Sequence, residues 1–133
     1  KIYVSLAEKL LFQSGSTKVD EKGVDALTKL AGILGKQSGI NILVEGHTDD
    51  VPVGSNASYK DNWDLSVLRA TSIVRILLDE GNIDPKMIVA SGRGEFVPVA
   101  ENDTKLGRAK NRRTEIILSP NLSEIFEILE SDF

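Results

Sequence analysis

Apolar and polar positions alternate at the start of the chain. Ile2, Val4 and Leu6 fall on one side and Tyr3 and Ser5 on the other, which predicts a half-buried strand over Lys1–Leu6. Leu10, Leu11 and Phe12 follow, and Gln13-Ser14-Gly15-Ser16-Thr17 reads as a loop. From about Asp20 the period lengthens. Val24, Leu27, Leu30, Ala31 and Leu34 recur at intervals of three and four, as on one face of a helix, and Gly35 and Gly39 mark its end. Ile40–Glu45 predicts a second strand, with Ile42-Leu43-Val44 short enough to be buried. A polar loop over Val51–Asp61 leads to a second helix, Trp63–Glu80, capped by Asp61 or Asn62 and stopped by Gly81.

Beyond the turn Asn82-Ile83-Asp84-Pro85, Lys86–Arg93 predicts a third strand. A long excursion, Glu95–Lys110, carries a short helix near Thr104–Ala109, and Arg113–Ser119 is a fourth strand ended by Pro120. Asn121–Glu130 has the spacing of a small amphipathic helix through Leu122, Ile125, Phe126 and Leu129. Its apolar face can pack on its own domain or on a second copy, and the first is the default. The expected fold is α/β (α+β). It is a β-α-β-α-β-β two-layer sandwich with helices on one face of a mixed four-stranded sheet, plus the short C-terminal helix.

Composition narrows this picture little, but it excludes several chemistries. The 133 residues suit one domain of ordinary size, and 41% are hydrophobic. No apolar run is long enough to span a bilayer. There is no Cys, hence no disulfide framework, zinc–thiolate site or cysteine nucleophile. A net charge of −4 counts against nucleic acid as a partner. The first residue is Lys1 rather than Met, the mark expected of an excised or processed domain.

Four polar clusters carry the candidate chemistry. Gly46-His47-Thr48-Asp49-Asp50 lies just past the carboxyl end of a strand, where open α/β sheets bind ligands. His47, Asp49 and Asp50 could supply three metal ligands and with them a hydrolase, but consecutive loop carboxylates rarely converge, so no metal or other cofactor is expected. Asn62-Trp63-Asp64-Leu65-Ser66 precedes Arg69, whose fork can hold a carboxylate by two hydrogen bonds or pair with Asp64 or Glu8. Gly92-Arg93-Gly94 lacks the rest of a phosphate-binding fingerprint and suits a tight turn. Lys105, Arg108, Lys110, Arg112 and Arg113 form a basic stretch without interleaved aromatics, and Arg112 or Arg113 can pair with Asp49 across adjacent strand ends. Ser66 and Ser91 have no base and orienter around them, so nothing marks a nucleophile.

Taken in order, these clusters resemble the OmpA-like peptidoglycan-binding domain shared by OmpA-type outer-membrane proteins, Pal lipoproteins and the stator protein MotB. The matching stretches are Leu11-Phe12-Gln13-Ser14-Gly15-Ser16, Val44-Glu45-Gly46-His47-Thr48-Asp49 and Asn62-Trp63-Asp64-Leu65-Ser66 with Arg69-Ala70. Gly92-Arg93-Gly94-Glu95 with Pro98 and Gly107-Arg108-Ala109-Lys110-Asn111-Arg112-Arg113 complete them. The resemblance spans roughly residues 1–119 and leaves 120–133 as an extension. It implies a non-catalytic domain that binds the peptidoglycan stem peptide at its diaminopimelate residue. By the same resemblance, Asp49 would hold the ammonium of that residue and Arg69 its carboxylate, with Thr48 and Asn62 in support. Arg112 or Arg113 would close the far side, and the loop at Ser14 and Gly15 would offer backbone groups. The implied setting is the periplasm, with attachment to the outer membrane through a region upstream; the stator-type anchor is the alternative. Two departures stand out. The loop between Asp49 and Arg69 is long, as in the MotB-like version, and the usual Gly-Tyr/Phe-Gly reads Gly92-Arg93-Gly94.

Overall fold

A computed structural model describes residues 1–131. Its elements run β1 (Ile2–Ala7), α1 (Glu8–Leu11), α2 (Glu21–Leu34), β2 (Ile40–His47), α3 (Asn62–Glu80), β3 (Ile88–Gly92), α4 (Lys105–Asn111), β4 (Arg113–Pro120) and α5 (Ser123–Ser131). The sheet order is β1-β4-β2-β3. β4 runs antiparallel to both β1 and β2, whereas β2 and β3 are parallel and joined through α3. The four-stranded mixed sheet with helices on one face is therefore the architecture expected from the pattern of the chain.

Register follows from the period-two pattern. Val4, Ile42, Val44, Ile88, Ile116 and Leu118 face the helices and join Leu27, Ala31, Leu34, Ala70, Ile73 and Leu77 in one core. Tyr3 and Val89 point to the other face and stay 60% and 55% exposed. Slipping any strand by one residue would exchange these sets, so the hydrophobic pattern fixes the pairing.

The close seating of α3 on the sheet depends on absent side chains. A Cβ on Gly46 of β2 would lie 2.2 Å from the Ser66 carbonyl oxygen, and one on Gly92 of β3 would lie 2.4 Å from Ser66 Oγ. The two glycines let the helix backbone approach the sheet beside the polar clusters. Asp61 caps α3 by accepting from the Asp64 N–H at 3.0 Å, which frees Asn62 for other bonds.

Three details differ from the sequence expectation. A short helix, α1, follows β1 directly, because Leu11 and Phe12 must turn inward to be buried. Lys86 belongs to a 3-10 turn, Pro85–Met87, rather than to β3. Leu122, just before α5, and Phe126 and Leu129 within it are 47%, 57% and 47% exposed, so the described part of this face is not covered by its own domain as expected. The side chain of Ile125 lies outside the described residues. Among the described residues no helix is long and apolar enough to cross a membrane.

Candidate functional site

The topology gathers the polar clusters at one edge. β1, β2 and β3 point the same way, so their carboxyl ends, at Ala7, His47 and Gly92, share an edge with the start of antiparallel β4 at Arg113. Residues just past those ends are Glu8, Thr48-Asp49 and Arg93-Gly94, and just before β4 stands Arg112. A cavity of about 910 Å³ opens there, large enough for a small ligand. Ser14, Gly15, Asp49, Asn62, Arg69 and Arg112 line it, together with Glu8, Phe12, Tyr59 and Arg108.

Asp49 is nearly buried. Its Oδ1 accepts from the Val51 N–H at 3.0 Å and its Oδ2 from Arg112 Nη1 at 2.8 Å. Asn62 donates from Nδ2 to the carbonyls of Asp49 and Val51, at 3.3 and 3.1 Å, and so clamps the loop that follows β2 to the head of α3. Thr48 does not line the cavity. Its hydroxyl donates to the Asp49 carbonyl and its N–H to Gly94, so it shapes the turn that aims Asp49.

Arg69 is 5% exposed and already engaged. Nε donates to the Ser16 carbonyl at 2.9 Å, Nη1 to Glu8 Oε2 at 2.5 Å and Nη2 to the Gln13 carbonyl at 3.4 Å, while the guanidinium lies over the Phe12 ring. Of the two partners open to Arg69 in the sequence, the structure selects Glu8. Three of the five guanidinium N–H groups are used, which leaves two. The arginine thus holds the Gln13–Ser16 loop in place, and Tyr59 fastens the same loop from outside by donating to the Gly15 carbonyl at 2.7 Å.

Arg112 and Arg113 have separate duties. The Arg112 side chain is 27% exposed, faces the cavity, and lies 3.2 Å from Glu8 Oε1 as well as bonding Asp49. Arg113 turns away. It bonds the Asn111 and Val97 carbonyls and Glu115, so it braces the excursion before β4 rather than the cavity.

The three possible metal ligands of the His47 loop do not converge. Asp50 is exposed, Asp49 faces Arg112, and His47 pairs instead with Glu45. His47 Nε2 meets Glu45 Oε1 at 2.8 Å and Glu115 Oε2 at 3.6 Å. Burial and the nearby Arg113 guanidinium push the His47 pKa below its ordinary value, against the opposing pull of the two glutamates. A neutral His47 donates Nε2–H to Glu45, and Nδ1 then faces the interior with no partner among the described residues. Glu45, His47 and Glu115 are the three donors that do gather, but Arg93 and Arg113 already balance the carboxylates.

Glu8 is the site residue that motif reading ranks too low, as a mere surface partner. Its signal is positional: it directly follows the carboxyl end of a strand on the same edge as Asp49.

The edge, its paired charges and its cavity define a ligand-binding module of the α/β kind. The chain belongs to the OmpA family, whose model matches residues 11–112. Motility protein B of Bacillus subtilis is 34% identical over 119 residues, covering 90% of this chain and 45% of that relative. The chain thus spans about half the length of the curated relatives it matches. The crystal structure of the periplasmic domain of Helicobacter pylori MotB superposes with a TM-score of 0.81 at 30% identity, covering 98% of this chain and 92% of that one. The cell wall anchor of the T6SS from Pseudomonas aeruginosa superposes with a TM-score of 0.80 at 34% identity, covering 90% and 80%.

Proposed function

We propose that this domain binds the peptide stem of peptidoglycan without catalysis, and so ties an envelope protein to the cell wall. The observation that carries the reading is the cavity in which Asp49 stands opposite the guanidiniums of Arg69 and Arg112. The diaminopimelate side chain ends in an ammonium and a carboxylate on one carbon, so it needs one anion and one cation a few ångströms apart. Asp49 takes the ammonium. The carboxylate meets the remaining N–H groups of Arg69, the outer face of Arg112 and the backbone at Ser14 and Gly15. Asn62 and Thr48 set the loop that carries Asp49; Arg113 braces the wall behind it. Charge-assisted hydrogen bonds offset the desolvation of both ligand charges. Losing one protein partner leaves a ligand charge unpaired, at about 2–5 kcal/mol. One small interface binds weakly, but a wall offers many copies, and avidity supplies the hold.

Sedimentation with purified sacculi tests this. The unmodified chain is expected in the pellet, and Asp49→Ala and Arg69→Ala in the supernatant. Equal pelleting of all three defeats the reading. The similarity to a motility protein B favours one version of it, in which the periplasmic domain anchors a stator. Attachment at the outer membrane is the other version, and the sequence upstream of this domain decides between them.

A further inference from the structure

Two aromatic rings lie beside the cavity but outside it. Trp63, in the first turn of α3, is 49% exposed, and Phe96, in the excursion after β3, is 60% exposed. Their ring centroids are 5.1 Å apart with 30° between the planes, a stacked pair. Gly94 lies beneath both. Its φ of +59° turns the chain so that Phe96 folds back over the helix, and a Cβ there would sit 3.4 to 3.5 Å from the two rings. One helical turn on, Val67 extends the apolar strip at 41% exposure. The chain has a single Trp and spends it at the surface, while its core is filled almost wholly by aliphatic side chains.

The platform and the cavity share a frame. Asn62, which lines the cavity, directly precedes Trp63. The Gly94 carbonyl accepts from Thr48 N–H at 2.9 Å, and the next residue is Asp49. Neighbouring helix positions differ by about 100°, so Asn62 and Trp63 look out on adjacent sides of one helix end.

We propose that Trp63 and Phe96 form a stacking platform for the sugar rings of a peptidoglycan glycan strand. This rests on the reading of the cavity as a stem-peptide site. In a stacked pair each ring covers one face of the other and keeps an outward face, a flat apolar surface that matches the C–H face of a pyranose. The stem is attached to the sugar chain, and three extended residues cover only about 10 Å. A strand whose stem enters the cavity therefore passes the neighbouring side of α3. A protein partner fits the strip less well. Two rings at about 150–250 Å² each fall short of the roughly 800 Å² that a stable protein interface takes from each side.

The single Trp makes the test direct, because all indole emission comes from the platform. Chitotetraose, which carries no stem peptide, serves as one probe and free diaminopimelate as the other. Chitotetraose is expected to blue-shift the emission saturably, and Phe96→Ala to weaken its binding about tenfold. Diaminopimelate binding, followed by saturation-transfer NMR, stays unchanged in Phe96→Ala and in Trp63→Ala. Unchanged emission, or equal chitotetraose affinity in Phe96→Ala, overturns the platform. So does a concentration-dependent dimer that Phe96→Ala dissolves, since that assigns the rings to a second copy. Chitotetraose binding without diaminopimelate binding would instead defeat the reading of the cavity and leave the platform standing.

Discussion

Arg69 and Glu8, sixty-one residues apart in sequence, meet through Nη1 and Oε2 at the floor of the cavity. The other oxygen of Glu8 lies 3.2 Å from Arg112 Nε, and Arg112 in turn bonds Asp49 at 2.8 Å. Charge alternates along the chain Arg69, Glu8, Arg112, Asp49, so the four together are neutral. A zwitterion adds one charge of each sign to such a row without unbalancing it.

Glu8 holds two guanidiniums, one of them almost fully buried. Glu8→Ala leaves Arg69 facing no carboxylate, which costs about 3 kcal/mol. Urea denaturation is expected to show that loss. Adding Arg69→Met should recover much of it, because the uncompensated charge goes with the arginine. Additive losses in the double variant would show that the pair is not coupled.

The two adjacent arginines separate binding from stability. Arg112→Ala is expected to weaken diaminopimelate and sacculus binding and to lower the denaturation midpoint less than Arg113→Ala does, because Glu8 keeps Arg69 and Asp49 keeps the Val51 N–H. Arg113→Ala strands the buried carbonyl of Asn111, at about 1–3 kcal/mol for an unsatisfied buried group, and also frees the partly buried Val97 carbonyl. Calorimetric melting alongside sacculus sedimentation distinguishes them. The assignment of roles is reversed if Arg113→Ala melts normally and fails to bind.

Gly46 is expected to tolerate no side chain. Gly46→Ala drives a Cβ toward the Ser66 carbonyl, 2.2 Å away, and forces α3 off the sheet. Overpacking of this kind costs about 1–3 kcal/mol or more. Because Asn62 and Arg69 ride on α3, binding should weaken as well. A variant with the melting temperature and affinity of the parent would contradict the close seating of helix on sheet.

His47 links stability to pH. Its folded-state pKa lies below the ordinary 6.5, so the folded chain holds that proton less tightly than the unfolded one. Between the folded value and 6.5 the unfolded state binds more protons, and stability rises with pH. Its contribution is complete above 6.5 and drains away as acid is added. Denaturation at several pH values should show this slope, and His47→Gln should flatten it. An unchanged slope would place the acid sensitivity elsewhere.

The fold was legible wherever one apolar period ran unbroken. Val24 to Leu34 and Ile42 to Val44 announce their elements, and the register follows from Ile116 facing the helices. What escaped lay where a few side chains override local pattern. Asn111 is fully buried and bonds Val99, Ala100 and Asn102, and so folds an excursion that has no periodicity of its own. Part of the cavity lining was readable as motifs, because Asp49, Asn62 and Arg69 stand at fixed offsets around a strand end and a helix start. The division between Arg112 and Arg113 was not, since it depends on which residue is the last before β4 pairs with β1 and β2. Sequence offered Glu8 beside Asp64 as a partner for Arg69 but could not choose between them, since the contact is made only when the first strand and α3 come to one edge.

The pairing of β1 with β4 also sets how the domain would bear load in the proposed anchoring role. A pull on residue 1 against a wall held near Asp49 runs lengthwise along β1. Its rungs, from Ile2–Leu118 to Ala7–Arg113, are then strained together in shear rather than opened one after another. In the proposed anchoring role, a pull applied at residue 1 would load the sheet in its mechanically stiffer direction, with the ligand site at the far end of the same strand.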